Sequence, residues 1–152
     1  MKINIKELLF YIFITLIIGS IPSIFIVTNN VYETLNKPFL SPPGFLFPIV
    51  WTILFILMGI SIYRVSNINI NKRNNLIIYF SQLVVNALWT PIFFGLNMYL
   101  FAFIWLLILI VLVIVMLFNF KKVDKISFYI NIPYLIWLLF AGYLNLFIYI
   151  LN

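Results

Sequence analysis

Long apolar stretches dominate this chain, and charged residues occur only in the short segments between them. No charged residue occurs within residues 8–32, 38–63, 74–120 or 126–152. A bilayer core of about 30 Å requires roughly 20 helical residues, so the first, second and fourth stretches each accommodate one spanning helix. The third stretch is long enough for two helices, and the Gly-Leu-Asn sequence at residues 95–97 is typical of a turn between them.

The pattern therefore predicts an all-α fold, a single domain over residues 1–152 that forms an integral membrane bundle of five transmembrane helices. The helices are expected near residues 6–28, 45–64, 75–95, 98–120 and 126–151. These stretches are apolar on every face and lack the alternating polarity of membrane β-strands. Pro22 follows Gly19 and Ser20 and should bend the first helix, because proline removes one backbone hydrogen bond.

Composition supports a membrane protein and restricts its chemistry. Hydrophobic residues make up 66% of the chain, charged residues 8%, and the mean hydropathy is +1.21, so there is too little polar surface for a water-soluble globule. The chain has no cysteine and no histidine, which excludes disulfides and imidazole bases. The three acidic residues, Glu7, Glu33 and Asp124, lie at helix ends or in loops. We therefore expect no metal site and no resident cofactor.

The distribution of cations predicts the orientation in the membrane. Lysine and arginine residues precede the first helix and follow the second and fourth, which places them on one side of a five-helix chain. Lys37 alone falls on the other side. By the positive-inside tendency, the N-terminus should be cytoplasmic and the C-terminus extracytoplasmic in a bacterial cell membrane. The net charge of +6 is thus a topology signal, and no nucleic-acid partner is expected.

The loop after the first helix is rich in proline. Four of the seven prolines lie between Lys37 and Trp51, which predicts a structured lid that leads into the second helix. Trp51, Phe55 and Gly59 are spaced four apart and share one helical face. From its position alone, Trp51 fits either an interfacial aromatic belt or the wall of a pocket.

The third helix carries a polar and aromatic stripe at mid-membrane depth. Gln82 and Asn86 are followed at helical spacing by Trp89 or Thr90 and then by Phe93. Such amides should face the bundle interior, because an unpaired amide in lipid is costly. The sequence leaves two interpretations of these amides open: they form hydrogen bonds between helices, or they contact a ligand.

The fifth helix carries a matching stripe. Tyr134, Trp137, Ala141 and Asn145 fall on one face, and Trp137 is too deep in the helix for an interfacial belt. The small side chain of Ala141 leaves space beside the indole, although an aromatic residue next to a small one also occurs in ordinary helix packing.

These stripes suggest a binding site more than an active site. No phosphate-binding loop and no hydrolase or metalloprotease motif occurs. The titratable groups of an intramembrane proton relay are also missing from the apolar stretches. An aromatic cavity with a few amides and hydroxyls remains, and this is typical of a site for a flat apolar ligand.

Three segments carry a resemblance to a known family. They are KPFLSPPGFLFPIVWTILF from residue 37, NALWTPIFFG from residue 86 and PYLIWLLFAGYLN from residue 133. In this order and spacing, and over nearly the whole chain, they resemble the translocator protein (TspO/MBR) family. Its members are also called tryptophan-rich sensory proteins or peripheral benzodiazepine receptors.

The resemblance implies a five-helix bundle that is often a homodimer. It also implies a ligand site under the first loop, which binds porphyrins such as protoporphyrin IX and synthetic isoquinoline carboxamides and benzodiazepines. By this resemblance, light- and oxygen-dependent porphyrin breakdown would use Trp51 and Trp137 as catalytic residues, and tetrapyrrole transport is a further alternative. The lone Lys37 would meet a porphyrin propionate. The ligand-binding residues that the resemblance implies are Tyr32, Pro42, Trp51, Phe55, Asn86, Phe94, Trp137, Phe140 and Ala141.

The chain also departs from the family pattern in its lid and near its C-terminus. Leu40 and Phe45 stand where tryptophan is common, and Ser41 stands where some members carry histidine. The last apolar segment lacks the cation that would complete a proposed sterol motif, so sterol binding is not expected.

Overall fold

The computed structural model describes residues 3–25 and 30–152, and these residues form helices joined by short loops, with no strand among them. The main helices are α1 (Ile5–Ser20), α2 (Val31–Thr34), α3 (Leu46–Ile68), α4 (Lys72–Thr90), α5 (Tyr99–Val123), α6 (Lys125–Ile130) and α7 (Ile132–Leu151). A short 3₁₀ helix, Ile21–Phe25, follows α1, and a π-helical turn, Pro91–Gly95, follows α4.

Five segments are long and apolar enough to cross a membrane, which confirms the predicted five-helix membrane bundle. They are Ile5–Ile24, Leu46–Ile68, Lys72–Gly95, Tyr99–Val123 and Lys125–Leu151. The chain is thus a multi-pass membrane protein. The predicted boundaries differ from these by at most four residues where they can be compared. The predicted end of the first helix, near residue 28, lies outside the described residues.

Prolines mark the two irregular segments. Pro22, which was predicted to interrupt and bend the first helix, falls in the 3₁₀ helix directly after α1, because it cannot donate the hydrogen bond that would continue the α-helix. Pro91 begins the π-helical turn, in which the Leu96 N–H donates to the Pro91 carbonyl at 2.9 Å. Both breaks lie near the same end of the bundle.

Close helix packing on one side depends on glycine. A Cβ atom at Gly59 would lie 2.6 Å from the Cα of Ile12, so only glycine allows the backbones of α1 and α3 to come this close. The ring of Phe55 lies where a Cβ atom at Gly19 would be, so a larger residue at position 19 would collide with this ring. On the other side of the bundle, α5 packs against both α4 and α7.

A polar cluster joins α3 to α6. Arg64 donates to both carboxylate oxygens of Asp124, at 2.7 and 3.2 Å, and Asp124 caps α6 by accepting from the Ser127 N–H. The Ser127 hydroxyl donates to the carbonyl of Ser61, and Asn131 donates to the Ser61 hydroxyl. Burial acts to raise the pKa of Asp124, but the hydrogen bonds from Arg64 and Ser127 outweigh it and lower this pKa from 3.8 to about 2.

The distance between α3 and the last span differs between the two ends of the bundle. The backbone of α3 lies close to α6 at the end that carries residues 121–125, here called the cation-rich end. Farther along, α3 and α7 separate and meet mainly through aromatic side chains. The opposite end is called the lid end, because the loop over residues 35–45 lies there together with Asn152.

Candidate functional site

Hydrogen bonds fasten the lid at several points. Asn36 and Asn152 exchange two of them, with the Asn36 N–H donating at 3.0 Å and the Asn152 amide donating back at 2.9 Å. The Tyr143 hydroxyl of α7 donates to the Phe39 carbonyl at 2.7 Å. The Tyr32 hydroxyl of α2 donates to the Pro42 carbonyl of the lid at 2.8 Å. The proline-rich loop is therefore an ordered cover over the lid end of α7.

Lys37 is directed back into the lid. Its Nζ donates to the Tyr32 carbonyl at 3.1 Å, lies 3.6 Å from the Glu33 carboxylate and sits 4.5 Å from the centre of the Tyr32 ring. Burial is the main factor that raises the pKa of the Tyr32 hydroxyl, so this group stays neutral and remains a donor at physiological pH. A ligand carboxylate would have to compete with Glu33 for Lys37.

A row of aromatic rings connects the lid to the middle of the membrane. The ring of Tyr32 lies 5.0 Å from Phe47, Phe47 lies 6.0 Å from Trp137, and Trp137 lies 5.6 Å from Phe140. These separations are typical of favourable aromatic pairs. Sequence reasoning did not select Phe47, although it precedes Trp51 by four residues and belongs to the same helical stripe.

An apolar groove lies where α3 and α7 separate. Its volume is about 600 Å³, it carries no charged residue, and it opens on the outer surface of the bundle beside the exposed Ile53 and Ile136. The groove is lined by Val50, Ile53, Leu54, Leu57, Pro133, Ile136, Trp137 and Phe140. Two of the residues expected to bind ligand, Trp137 and Phe140, are therefore in its wall.

The indole of Trp137 has an unused hydrogen-bond donor. Its Nε1 atom is buried and has no hydrogen-bond partner among the described residues. Buried donors in proteins nearly always have a partner, so an unpaired one in the wall of an apolar groove calls for an explanation. Because the Nε1 atom itself is buried, a ligand acceptor in the groove would reach it only if the indole turns toward the groove.

Trp51 and Phe55 lie beside the groove, in the bundle interior. Their rings stack at 5.4 Å with an interplanar angle of 26°, and Trp51 meets Tyr134 of α7 edge to face at 6.2 Å. Phe55 is buried against Gly19 of α1. Trp51 therefore packs against the bundle interior and does not lie only in an aromatic belt at the membrane–water interface.

The polar stripes of α4 and α7 meet at Tyr134. Its hydroxyl donates to the Gln82 Oε1 atom at 2.8 Å and accepts from the Asn86 amide at 2.7 Å. Nearer the lid end, Trp89 donates to Asn145 at 3.0 Å. In this structure the amides thus hold helices together, while the buried Nε2 atom of Gln82 has no partner among the described residues.

The expected site residues fall into two adjoining hydrophobic clusters. Tyr32 and Phe94 belong to a cluster at the lid end, with Pro42 bonded to Tyr32. Ala141 packs with Trp51, Phe55 and Trp137 in the larger central cluster, and Asn86 bonds to Tyr134 there. The contact of Phe47 with Trp137 bridges the two clusters.

The chain is similar to known proteins over most of its length. Residues 11–151 match the TspO/MBR family. The chain is 40% identical over 124 residues to Protein CrtK of Rhodobacter capsulatus, which covers 80% of this chain and 78% of that protein. It is 36% identical to the Tryptophan-rich protein TspO of Archaeoglobus fulgidus over 98% of this chain and 99% of that one. It is 30% identical to the bovine Translocator protein over 75% and 70% of the two chains.

Proposed function

The chain belongs to the TspO/MBR family, and on that premise we propose that it is a membrane binding and sensory protein for porphyrin-like ligands. Protoporphyrin IX represents this class, and isoquinoline carboxamides and benzodiazepines are synthetic ligands of the same flat, apolar kind. One observation carries the proposal: Trp137, whose buried N–H has no partner among the described residues, lines an apolar groove that continues from the aromatic row under the lid.

The chemistry of the groove suits a flat aromatic ligand. Its volume of about 600 Å³ falls within the usual range for small-molecule sites. A ring nitrogen or a carbonyl oxygen would accept the Trp137 hydrogen bond once the indole turns toward the groove, and the rings of Phe47 and Phe140 lie beside the indole for aromatic contact. Leaving such a donor buried without an acceptor costs about 1–3 kcal/mol, so a ligand with an acceptor gains that energy.

The charges suggest how a porphyrin would be oriented. No charged residue lines the groove, so the apolar macrocycle belongs there and the propionates belong at the lid end. Lys37 is the cation of the lid loop, residues 35–45. A propionate would take the place that Glu33 now holds beside it. By the positive-inside tendency, we assign the lid end to the extracytoplasmic side of a cell membrane.

Titration of the purified protein with protoporphyrin IX tests the proposal. Tryptophan fluorescence should be quenched on binding, and Trp137→Phe should weaken the affinity by about tenfold, the loss of one hydrogen bond of about 1.4 kcal/mol. Trp105→Phe is the matched control, because the Trp105 indole already donates to the Val85 carbonyl at 2.8 Å and does not line the groove. Equal affinity in both variants would reject this site.

A further inference from the structure

We propose that the tip of the lid is an anchor that inserts into the membrane leaflet at the lid end. The lid tip consists of Phe39, Leu40 and Phe45, which are 87%, 68% and 66% exposed. Three large apolar side chains exposed in one loop mark a surface that contacts an apolar partner. The partner that we infer is the hydrocarbon and glycerol region of the bilayer itself, which needs no bound porphyrin.

The backbone of the lid tip holds Leu40 in an unusual conformation. The Ser41 N–H donates to the Pro38 carbonyl at 3.3 Å, which closes a tight turn, and Leu40 occupies the third position of this turn with a φ of 77°. Glycine or asparagine adopts this left-handed conformation more easily than leucine does. Leucine therefore costs conformational energy here, and its exposed side chain regains little of that energy from packing within the protein.

Two backbone carbonyls of the turn are hydrogen-bonded within the protein, while the side chains of Phe39 and Leu40 are exposed. The Phe39 carbonyl accepts a hydrogen bond from Tyr143 of α7, and the Ser41 hydroxyl donates to the Pro38 carbonyl at 2.8 Å. Insertion of the tip into a leaflet would thus leave these two carbonyls paired, which lowers the cost of placing a non-helical segment in an apolar environment.

The lid tip continues the lipid-facing surface of the bundle. Phe45, Ile49 and Ile53 are spaced four apart at the start of α3, all three are exposed, and Ile53 borders the groove. On the other side of the groove, Tyr143 binds Phe39 and stacks at 6.1 Å on Phe140, a groove residue. The same apolar surface therefore runs from the middle of the membrane up to the lid tip.

The charges nearby agree with this position. Residues 38–63 contain no charged residue. Lys37, which directly precedes them, is turned toward Tyr32 and Glu33 and so away from the tip. An inserted tip would hold the lid closed from the bilayer side, and opening the lid would require two phenylalanine rings and a leucine side chain to leave the leaflet.

Site-directed spin labelling in liposomes tests the anchor. Because the chain has no cysteine, Phe39→Cys gives a single labelling site. The label should collide with oxygen, which concentrates in the bilayer, several-fold more than with a water-soluble nickel chelate. Thr34→Cys in α2 is the aqueous reference, and Ile104→Cys on the exposed face of α5 is the bilayer reference.

The outcome is decided at position 39. A ratio of oxygen to nickel collisions near that of position 104 supports the anchor, and a ratio equal to that of position 34 overturns it. If the Phe39→Cys protein does not reconstitute, Leu40→Cys is labelled instead and judged in the same way. Since no porphyrin is added, this result is independent of the test of the ligand site.

Discussion

Tyr134 is the residue on which the polar contacts inside the bundle converge. Its buried hydroxyl donates to the amide oxygen of Gln82 and accepts from the amide N–H of Asn86, both on α4. An aromatic ring with one hydroxyl thus satisfies two groups that would otherwise be unpaired in an apolar interior. The same ring supports Trp51 from the side, so the residue links the polar contacts to the candidate site.

We expect Tyr134→Phe to destabilise the protein by about 1–3 kcal/mol, because it keeps the ring but leaves both amides without their partner. Thermal unfolding in detergent measures this loss. Tyr149→Phe is the control on the same helix, since the Tyr149 side chain is exposed and its loss should change stability little. A Tyr134→Phe protein as stable as the control would show that the hydroxyl contributes no net stability.

At the scale of single residues, the sequence predicted positions more reliably than partners. The depth of Trp137 and the inward face of Gln82 and Asn86 follow from helical spacing and from the cost of unpaired amides in lipid. The partners of these side chains do not follow from spacing. Phe47 was missed because many phenylalanines lie on apolar faces, and only the fold shows that this ring touches both Tyr32 and Trp137.

At the scale of helices, α1 and α3 are the most extensively packed pair among the described residues. Gly59 makes this packing possible, since a Cβ atom there would collide with the Ile12 backbone, which cannot move without displacing α1. The sequence suggested only that Gly59 shares a face with Trp51 and Phe55. It did not indicate that this glycine is the contact point for α1.

Gly59→Ala should therefore destabilise the bundle by about 1–3 kcal/mol, the usual cost of overpacking. Gly142→Ala is the matched control, because a Cβ atom at Gly142 would lie 3.9 Å from its nearest neighbour, which is ordinary contact. Unfolding midpoints of the two variants in the same detergent give the comparison. If the two alanine variants have the same unfolding midpoint, the backbones of α1 and α3 can move apart to accommodate the added Cβ atom without loss of stability.

Helix boundaries were predicted well where a local signal marks them. Charged residues and prolines delimit the helices, and both act through nearby backbone or through contact with water, so the sequence displays them directly. The π-helical turn at Pro91–Gly95 and the division of the last span into α6 and α7 were not predicted. Both depend on which carbonyl accepts each N–H, and apolar patterning does not specify that choice.

At the scale of the whole molecule, the two ends of the bundle differ in character. The lid end carries the fastened loop and the single lid cation Lys37, which is paired with Glu33. The cation-rich end carries Arg64, Lys72 and the lysines near residue 121. This asymmetry supports the proposed orientation, with the lid end extracytoplasmic.

A membrane-impermeant maleimide applied to intact bacterial cells that express single-cysteine variants tests the orientation. We expect Thr34→Cys at the lid end to react, and Asn69→Cys, in the loop between α3 and α4, to react only after the cells are permeabilised. The cysteine-free parent provides the background signal. The reverse labelling pattern would show that the protein is inserted in the opposite sense.

The sequence by itself determined the number of spans, the all-α class, the proline break after α1 and the family. The first three rest on local properties, such as apolar length, charge placement and the position of a proline, and the family rests on three motifs in a fixed order and spacing. Only the tertiary structure decided that α3 and α7 separate into a groove, that Lys37 pairs with Glu33, and that the Trp137 N–H lacks a partner among the described residues. These features depend on how helices rotate and cross, and a helix that is apolar on every face carries no local signal for its rotation.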